Sequence, residues 1–379
     1  MKKNCLLALL LLPAGCWGQD SYTLPLANAN TALSLPAMTA GGGVLYEAHR
    51  SFDLLRFSNQ LQVSAFDLAT HKELKHTVIS VPRVHGARAA EGFFLSPDDQ
   101  TLVYAEIHEP NLLLVLSAKD LSEVQHTDAL PFTSADSYRL FAGFDDNGLL
   151  SFASIRGSNL RFVRMNLSNF KIVSDVTGPK PNYYNSSIVW SPKGRVAWLE
   201  SRGHVWREYH EDGSTTGREA RYEGRYSAIS AASALDTGQL IAFYGNMIDK
   251  GAVLGYSDDR AKELELPCVP RPYSSGDVAD YAGAICTTSP DREPEHGGNK
   301  ILSSEFLLLK ADGPTIAWRH SMDFLGVADS NDTDTGRQWG NPLLYRAESK
   351  LLIVAPSKSS ALTVYEVTLA DSSVASVSK

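Results

Sequence analysis

The chain of 379 residues predicts an all-β fold, a seven-bladed β-propeller. Three observations lead there. Short runs rich in β-branched and aromatic residues, each bounded by turn residues, fill the chain. Helical periodicity over a dozen residues is absent after the first stretch. A degenerate unit recurs at intervals of roughly 44 to 58 residues, the range in which four-stranded propeller repeats fall.

The first element is an export signal. Lys2 and Lys3 give a positive start, Cys5 to Leu12 an apolar run and Gly15 to Gly18 small residues for cleavage. A bilayer-spanning helix needs about 20 apolar residues, more than this run supplies. The organisation expected is a signal over residues 1–18 and one propeller domain over 19–379. Cleavage after Gly18, the favoured route, frees a chain beginning at Gln19. The alternative is lipidation of Cys16, because Leu12-Pro13-Ala14-Gly15-Cys16 resembles a bacterial lipobox with Pro13 where an aliphatic residue is usual. Either route places the protein outside the cytoplasm, in the periplasm or secreted.

Composition narrows the partners. Loss of Lys2 and Lys3 takes the formal charge from −8 to −10, and an acidic surface repels phosphate backbones, so nucleic acid is excluded. No second apolar run approaches membrane length. Removing the signal removes Cys5 and Cys16 and leaves Cys268 and Cys286. In an exported chain such a pair reads as a disulfide, with two free buried thiols as the alternative. No further Cys or His sits at zinc-ligand spacing.

The strands Gln62 to Phe66, Leu102 to Ala105, Leu160 to Val163 and Thr363 to Val367 follow. The recurring unit is a Ser-Pro-Asp or Asp-Gly turn, an apolar strand, and a second strand ending in an Asp or Asn turn. Its clearest copy runs from Phe93 through Ser96-Pro97-Asp98-Asp99-Gln100 to Tyr104, then Leu112 to Leu116 and Asp120. Ile188 to Trp198 repeats the first half through Ser191-Pro192-Lys193-Gly194-Arg195, and Phe144 to Leu150 does so with another turn. The remaining turns fall near Gly42, Thr237, Asp291 and Ser349. One four-stranded sheet cannot bury both its faces, whereas radial stacking buries them against neighbours.

Through Ser96 to Tyr104 and Ser191 to Ala197 the chain resembles the WD40-like, TolB-like bacterial propellers. The resemblance implies an architecture and leaves function open, because that superfold hosts many activities. The Gly-His and Trp-Asp signatures of true WD40 repeats are missing. A β-sandwich pair, or six or eight blades, are the competing folds. Leu266 to Asn299, rich in Pro, Gly and charge, is expected to carry a long excursion. A disulfide between Cys268 and Cys286, which flank part of it, would restrain about 19 residues, on the order of 3 kcal/mol in the chain-entropy account. Ring closure is open: the C-terminal strands close alone, or borrow one from Tyr22 to Leu35.

Chemistry-bearing groups are sparse. His296-Gly297-Gly298, with Glu293 and Glu295, reads as a solvated loop. His204, Trp206 and His210 would share one strand face. Asp329-Ser330-Asn331-Asp332-Thr333-Asp334-Thr335-Gly336 offers oxygen ligands suited to calcium without EF-hand spacing. Gly41-Gly42-Gly43 has no following Lys-Ser/Thr and reads as a tight turn. Ser227, Ser230 and Ser233 lack a Gly-x-Ser-x-Gly elbow. Trp190, Trp198, Trp206 and Trp318 suit packing between blades. Arg337 and Trp339 sit in a polar loop and are the ligand-loop candidates, suited to a sugar or peptide at the channel mouth. The function expected is a non-catalytic binding or scaffold propeller for a protein or peptide, with no assigned catalytic or metal residue and no cofactor beyond a possible calcium. The rivals are a channel-site lactonase or lyase, with Asp329, Asn331 and His320 as nominal groups, and a sugar-binding propeller.

Overall fold

The computed structural model describes residues 20–28, 32, 36–83, 90–107, 111–132, 141–145, 147–156, 159–178, 187–190, 196–200, 205–210, 212–221, 228–234, 240–245, 251–257, 260–266, 269–272, 281–288, 303–310, 315–321, 342–347, 350–357 and 361–368. Among these the regular elements are all strands, and they pair into seven four-stranded antiparallel sheets. Sheet I holds β2 (Ala37–Gly41), β3 (Val44–Asp53), β4 (Ser58–Asp67) and β5 (Lys72–Ser80). Sheet II holds β6 (Ala90–Leu95), β7 (Thr101–Ile107), β8 (Leu112–Ser117) and β9 (Glu123–Thr127). Sheet III holds β10 (Phe141–Phe144), β11 (Leu150–Arg156), β12 (Asn159–Asn166) and β13 (Lys171–Thr177). Sheet IV holds β14 (Ser187–Trp190), β15 (Val196–Glu200), β16 (Val205–Tyr209) and β17 (Thr215–Arg221). Sheet V holds β18 (Ala228–Ala234), β19 (Leu240–Gly245), β20 (Gly251–Ser257) and β21 (Arg260–Leu266). Sheet VI holds β22 (Val269–Pro272), β23 (Tyr281–Thr288), β24 (Ser303–Lys310) and β25 (Thr315–Ser321). Sheet VII holds β26 (Leu343–Ala347), β27 (Lys350–Ser357), β28 (Ala361–Thr368) and, across the chain, β1 (Asp20–Pro25).

The first strand of each sheet lies innermost: β2 meets β6 and β26, β6 meets β10, and β10, β14, β18 and β22 follow in series. The last strand is outermost, and the exposure of β5, β9 and β13 along most of their length agrees. Middle strands are largely buried on both faces because each face meets another sheet. Tyr46, Leu61 and Val63 of sheet I pack on Leu102, Tyr104 and Leu114 of sheet II. Val103 and Leu113 turn the other way, onto Phe152 and Val163 of sheet III. Sheet VI packs on VII through Ile285, Phe306, Ile353 and Val367.

Closure is made by the borrowed strand, one of the two routes the sequence left open. Asp20 through Pro25 pair with Glu366 through Ala361. Leu24, fully buried, then joins Leu45 and Phe66 of sheet I with Leu362 and Val364 of sheet VII.

Turn chemistry repeats. Ser96 Oγ donates to Asp98 Oδ1 at 2.5 Å and accepts from the Thr101 amide at 2.9 Å. Asp145 Oδ1 serves the equivalent turn in sheet III by accepting from the Asn147 and Leu149 amides, both at 2.9 Å. Between third and fourth strands the register shifts by a bulge in sheets I, II, III and IV. The adjoining turns place His71, Leu121, Phe170 and Gly213 at φ of 59°, 59°, 53° and 82°. Bulges of this kind follow a left-handed residue and add twist to the outer strand.

Gly42 and Gly43, at φ of 55° and 80°, form the two-residue turn joining β2 to β3, the tight-turn reading of that glycine run. Gly283 has a different reason: a Cβ there would lie 2.4 Å from Cζ of the buried Phe306.

Two sequence expectations need correction. Leu266 to Asn299 is not one excursion, because β22 and β23 lie within it and build half of sheet VI. Asp291 itself lies outside the described residues. Pro270 and Pro272 made β22 read as loop, yet they pair with Cys286 and Ala284 on an inner strand. His210 also leaves the expected strand face: β16 ends at Tyr209, and His210 lies exposed in the turn, its amide donating to the Ser214 carbonyl at 2.8 Å.

Candidate functional site

Strand direction gives the ring two unlike rims. At one rim the connections are short, the longest being 273–280. From the other rim leave all the long ones: 26–36, 81–89, 128–140, 178–186, 289–302 and 322–342. Long segments on one side of a rigid scaffold mark its functional face. The segment with Arg337 and Trp339 belongs here by its anchors, since β25 ends and β26 begins at this rim. Arg337 and Trp339 themselves lie outside the described residues, as do Cys16, Cys268, His204, Ser227, the His296 cluster and the Asp329 to Gly336 loop.

Two buried arginines hold connections at this rim. Arg50 Nη1 donates to the Pro82 carbonyl at 2.9 Å while its Nε donates to Glu106 Oε2 at 2.9 Å. Arg161 Nη1 donates to the Pro131 carbonyl at 2.6 Å, and its Nε and Nη2 clasp Asp175 at 2.9 and 2.6 Å. Its guanidinium also stands 5.4 Å from the Phe132 ring centroid. Proline has no amide to bind into a sheet, so its carbonyl is the group left to fix, and a planar cation can serve it and a carboxylate together.

The β3–β4 hairpin is the rim's most developed described feature. Its strands have 10 residues each against 7 and 6 in β7 and β8. At about 3.4 Å per residue, β3 is roughly 10 Å longer than β7. Its end is Leu54-Leu55-Arg56-Phe57, with Leu54, Leu55 and Phe57 exposed by 65%, 93% and 81%. The tip is nonetheless fixed. Asp53 Oδ1 accepts from the amides of Leu55 and Arg56 at 2.9 and 3.1 Å, and those bonds, that of Arg56 first, hold its carboxyl below the usual range. Phe57 sits at φ 52° with its ring edge-on to Phe52, 6.3 Å between centroids.

A polar ladder backs the hairpin on the face toward sheet VII. His76 Nε2 meets Gln62 Oε1 at 2.9 Å; Gln62 Nε2 donates to Ser51 Oγ at 2.7 Å and to Gln60 Oε1 at 3.3 Å; Gln60 Nε2 donates to Asp53 Oδ2 at 3.0 Å. With the His76 Nε2 proton donated, every bond in the chain points toward the tip. Deeper on the same face the wholly buried Glu47 Oε1 meets His49 Nδ1 at 2.5 Å. Burial pushes the Glu47 carboxyl up, against the opposing hydrogen bond and charge of His49. Both side chains are closed off from the surface, Glu47 at 0% and His49 at 1% exposure. The β3 sequence signalled it only as an alternation of polar residues, Glu47, His49, Ser51 and Asp53, in a strand long enough to be central.

Of the remaining candidates, Trp318 packs between sheets as expected, its ring 6.4 Å from Phe306 and 6.4 Å from Tyr365. His320 stacks on it at 5.5 Å. Trp190, Trp198 and Trp206 lie in β14, β15 and β16, their side chains outside the description. Cys286 is buried in β23 and disulfide-bonded. Among the described residues, no three of His, Cys, Asp or Glu gather to hold a metal, and no helix is long and apolar enough to cross a membrane.

These sheets define the class of protein: an all-β propeller. Among solved structures, the chain is similar to the mitotic checkpoint complex at TM-score 0.53 and 9% identity, over 92% of this chain and 95% of that one. It is similar to hydrazine synthase of Kuenenia stuttgartiensis at TM-score 0.52 and 12% identity, over 88% and 95%. The β-propeller domain of the trilobed protease from Pyrococcus furiosus is also similar, at 0.48 and 10% over 91% and 99%. At such identities the likeness reaches the fold alone. No family model matches the chain, and no curated protein matches it in sequence.

Proposed function

We propose that the protein is an exported binding or scaffold propeller that engages a protein or peptide partner with the rim bearing the long connections. The single observation that carries this reading is the one-sided length of those connections. The arginine pins add to it by fixing the backbone where two of them leave the sheets. Export rests on the leader over residues 1–18, with the soluble product favoured over lipidation at Cys16. The disulfide of Cys286 fits that compartment, and Cys268 is its proposed partner.

The test is site-specific photo-crosslinking in intact cells, with the reactive residue at Arg83 on the proposed rim or at Ser168 on the opposite one. A discrete protein adduct from position 83 and none from 168 is expected. Adducts from 168 alone, or from neither, would end the proposal.

A further inference from the structure

The β3–β4 tip is built in a way the partner-binding reading does not use. Leu54, Leu55 and Phe57 are each mostly exposed on a four-residue turn, a narrow apolar point and not a broad face. They also end the longest strands among the described residues. The guanidinium of Arg56 is among them, its side chain 81% exposed and 3.9 Å from Asp53. That carboxylate is already occupied by two amides and Gln60. A cation between apolar side chains, on a chain of net charge −8, selects an anionic surface for the tip while the body is repelled from it. Fluid hydrocarbon accepts a convex apolar point of any shape, and arginine keeps its charge at headgroup level while its stem follows the apolar groups inward.

We propose that the tip inserts into the interfacial region of an anionic lipid membrane, with Leu54, Leu55 and Phe57 entering the acyl boundary and Arg56 pairing with headgroup phosphates. The insertion is shallow and reversible, and it turns the long-connection rim toward the membrane. The Asp53 clasp supplies the rigidity, since a tip already ordered loses little freedom on entry.

The experiment uses residues 19–379 and large unilamellar vesicles, either phosphatidylcholine with phosphatidylglycerol at equal parts or phosphatidylcholine alone. Binding is read by sedimentation, and depth by an environment-sensitive dye on Leu55→Cys, with Ser168→Cys on the opposite rim as control. Expected are a blue shift from position 55 only, tighter binding to the anionic vesicles, and a loss of roughly tenfold or more in Leu55→Ser/Phe57→Ser, two exposed changes that spare the core. Arg56→Glu removes the anionic preference while leaving the thermal midpoint in place. The proposal is overturned by absence of binding, by binding the tip variants do not weaken, or by a shift at position 168. It is equally overturned if position 55 responds only when membrane proteins are added to the vesicles, which would assign the tip to a protein cleft.

Discussion

Replacing Leu24 by alanine tests the closure of the ring. Leu24 is the fully buried residue of β1, held between sheets I and VII by Leu45, Phe66, Leu362 and Val364. Removing its isopropyl end forfeits about 2 kcal/mol of transfer free energy. Two packed sheets can collapse only partly onto the space, which raises the total to about 3–5 kcal/mol. The neighbouring Thr23 points to solvent on the same strand, so Thr23→Ala controls for strand propensity and should cost about 0.5 kcal/mol or less. Urea unfolding followed by far-ultraviolet circular dichroism reads the difference, and an unchanged slope assigns the loss to the native state. A loss below about 1 kcal/mol for Leu24→Ala, or losses equal for the two variants, would refute the claim that β1 closes the ring.

Other perturbations report on single devices. Gly283→Ala drives a methyl into the buried Phe306 ring and should lower stability by about 1–3 kcal/mol, measured in the same unfolding assay. Asp53→Ala should abolish hydrogen-exchange protection at the amides of Leu55 and Arg56 and leave the global midpoint nearly unchanged. Glu47, whose carboxyl is raised by burial, contributes stability that is full below the unfolded carboxylate pKa, about 4.3, and is lost as pH rises through its folded value. Glu47→Gln should therefore flatten the decline of the thermal midpoint with rising pH over that window. Peptide mapping without reductant should recover Cys268 joined to Cys286, and reduction should lower stability by about 3 kcal/mol.

The fold was legible wherever turn chemistry was local. Ser96, Asp98 and Asp145 hold their turns through bonds to residues within a few positions, so the motif in the sequence is itself the structural cause. The choice between the two routes of closure was not legible, because the pairing of Asp20 with Glu366 joins segments far apart in the sequence and leaves no mark in either. Sheet VI misled for a different reason. Prolines at 270 and 272 argue against a strand by local preference, and pairing across to β23 overrides it. Nor did the left-handed positions at Leu121 and Phe170 announce themselves, since neither residue type signals that conformation.

The rim hairpin was the larger omission. Leu54-Leu55-Arg56-Phe57 reads as continuous with an apolar strand, and only the register between Asp53 and Ser58 turns it into an exposed tip. The ladder behind it joins three strands, from His76 to Gln62 to Asp53, and a one-dimensional reading cannot see across strands.

The borrowed strand has a consequence in time as well as in energy. Residues 20–25 leave the ribosome early, and their place in the sheet, beside residues 361–366, exists only when nearly the entire chain has followed. Each earlier sheet can assemble from contiguous sequence, but the final seam must wait, with Leu45 and Phe66 of sheet I uncovered in the meantime. Closing a loop that long is slow compared with forming any single hairpin. The polypeptide thus stays an open arc until its last strand is made and closes into a ring afterwards.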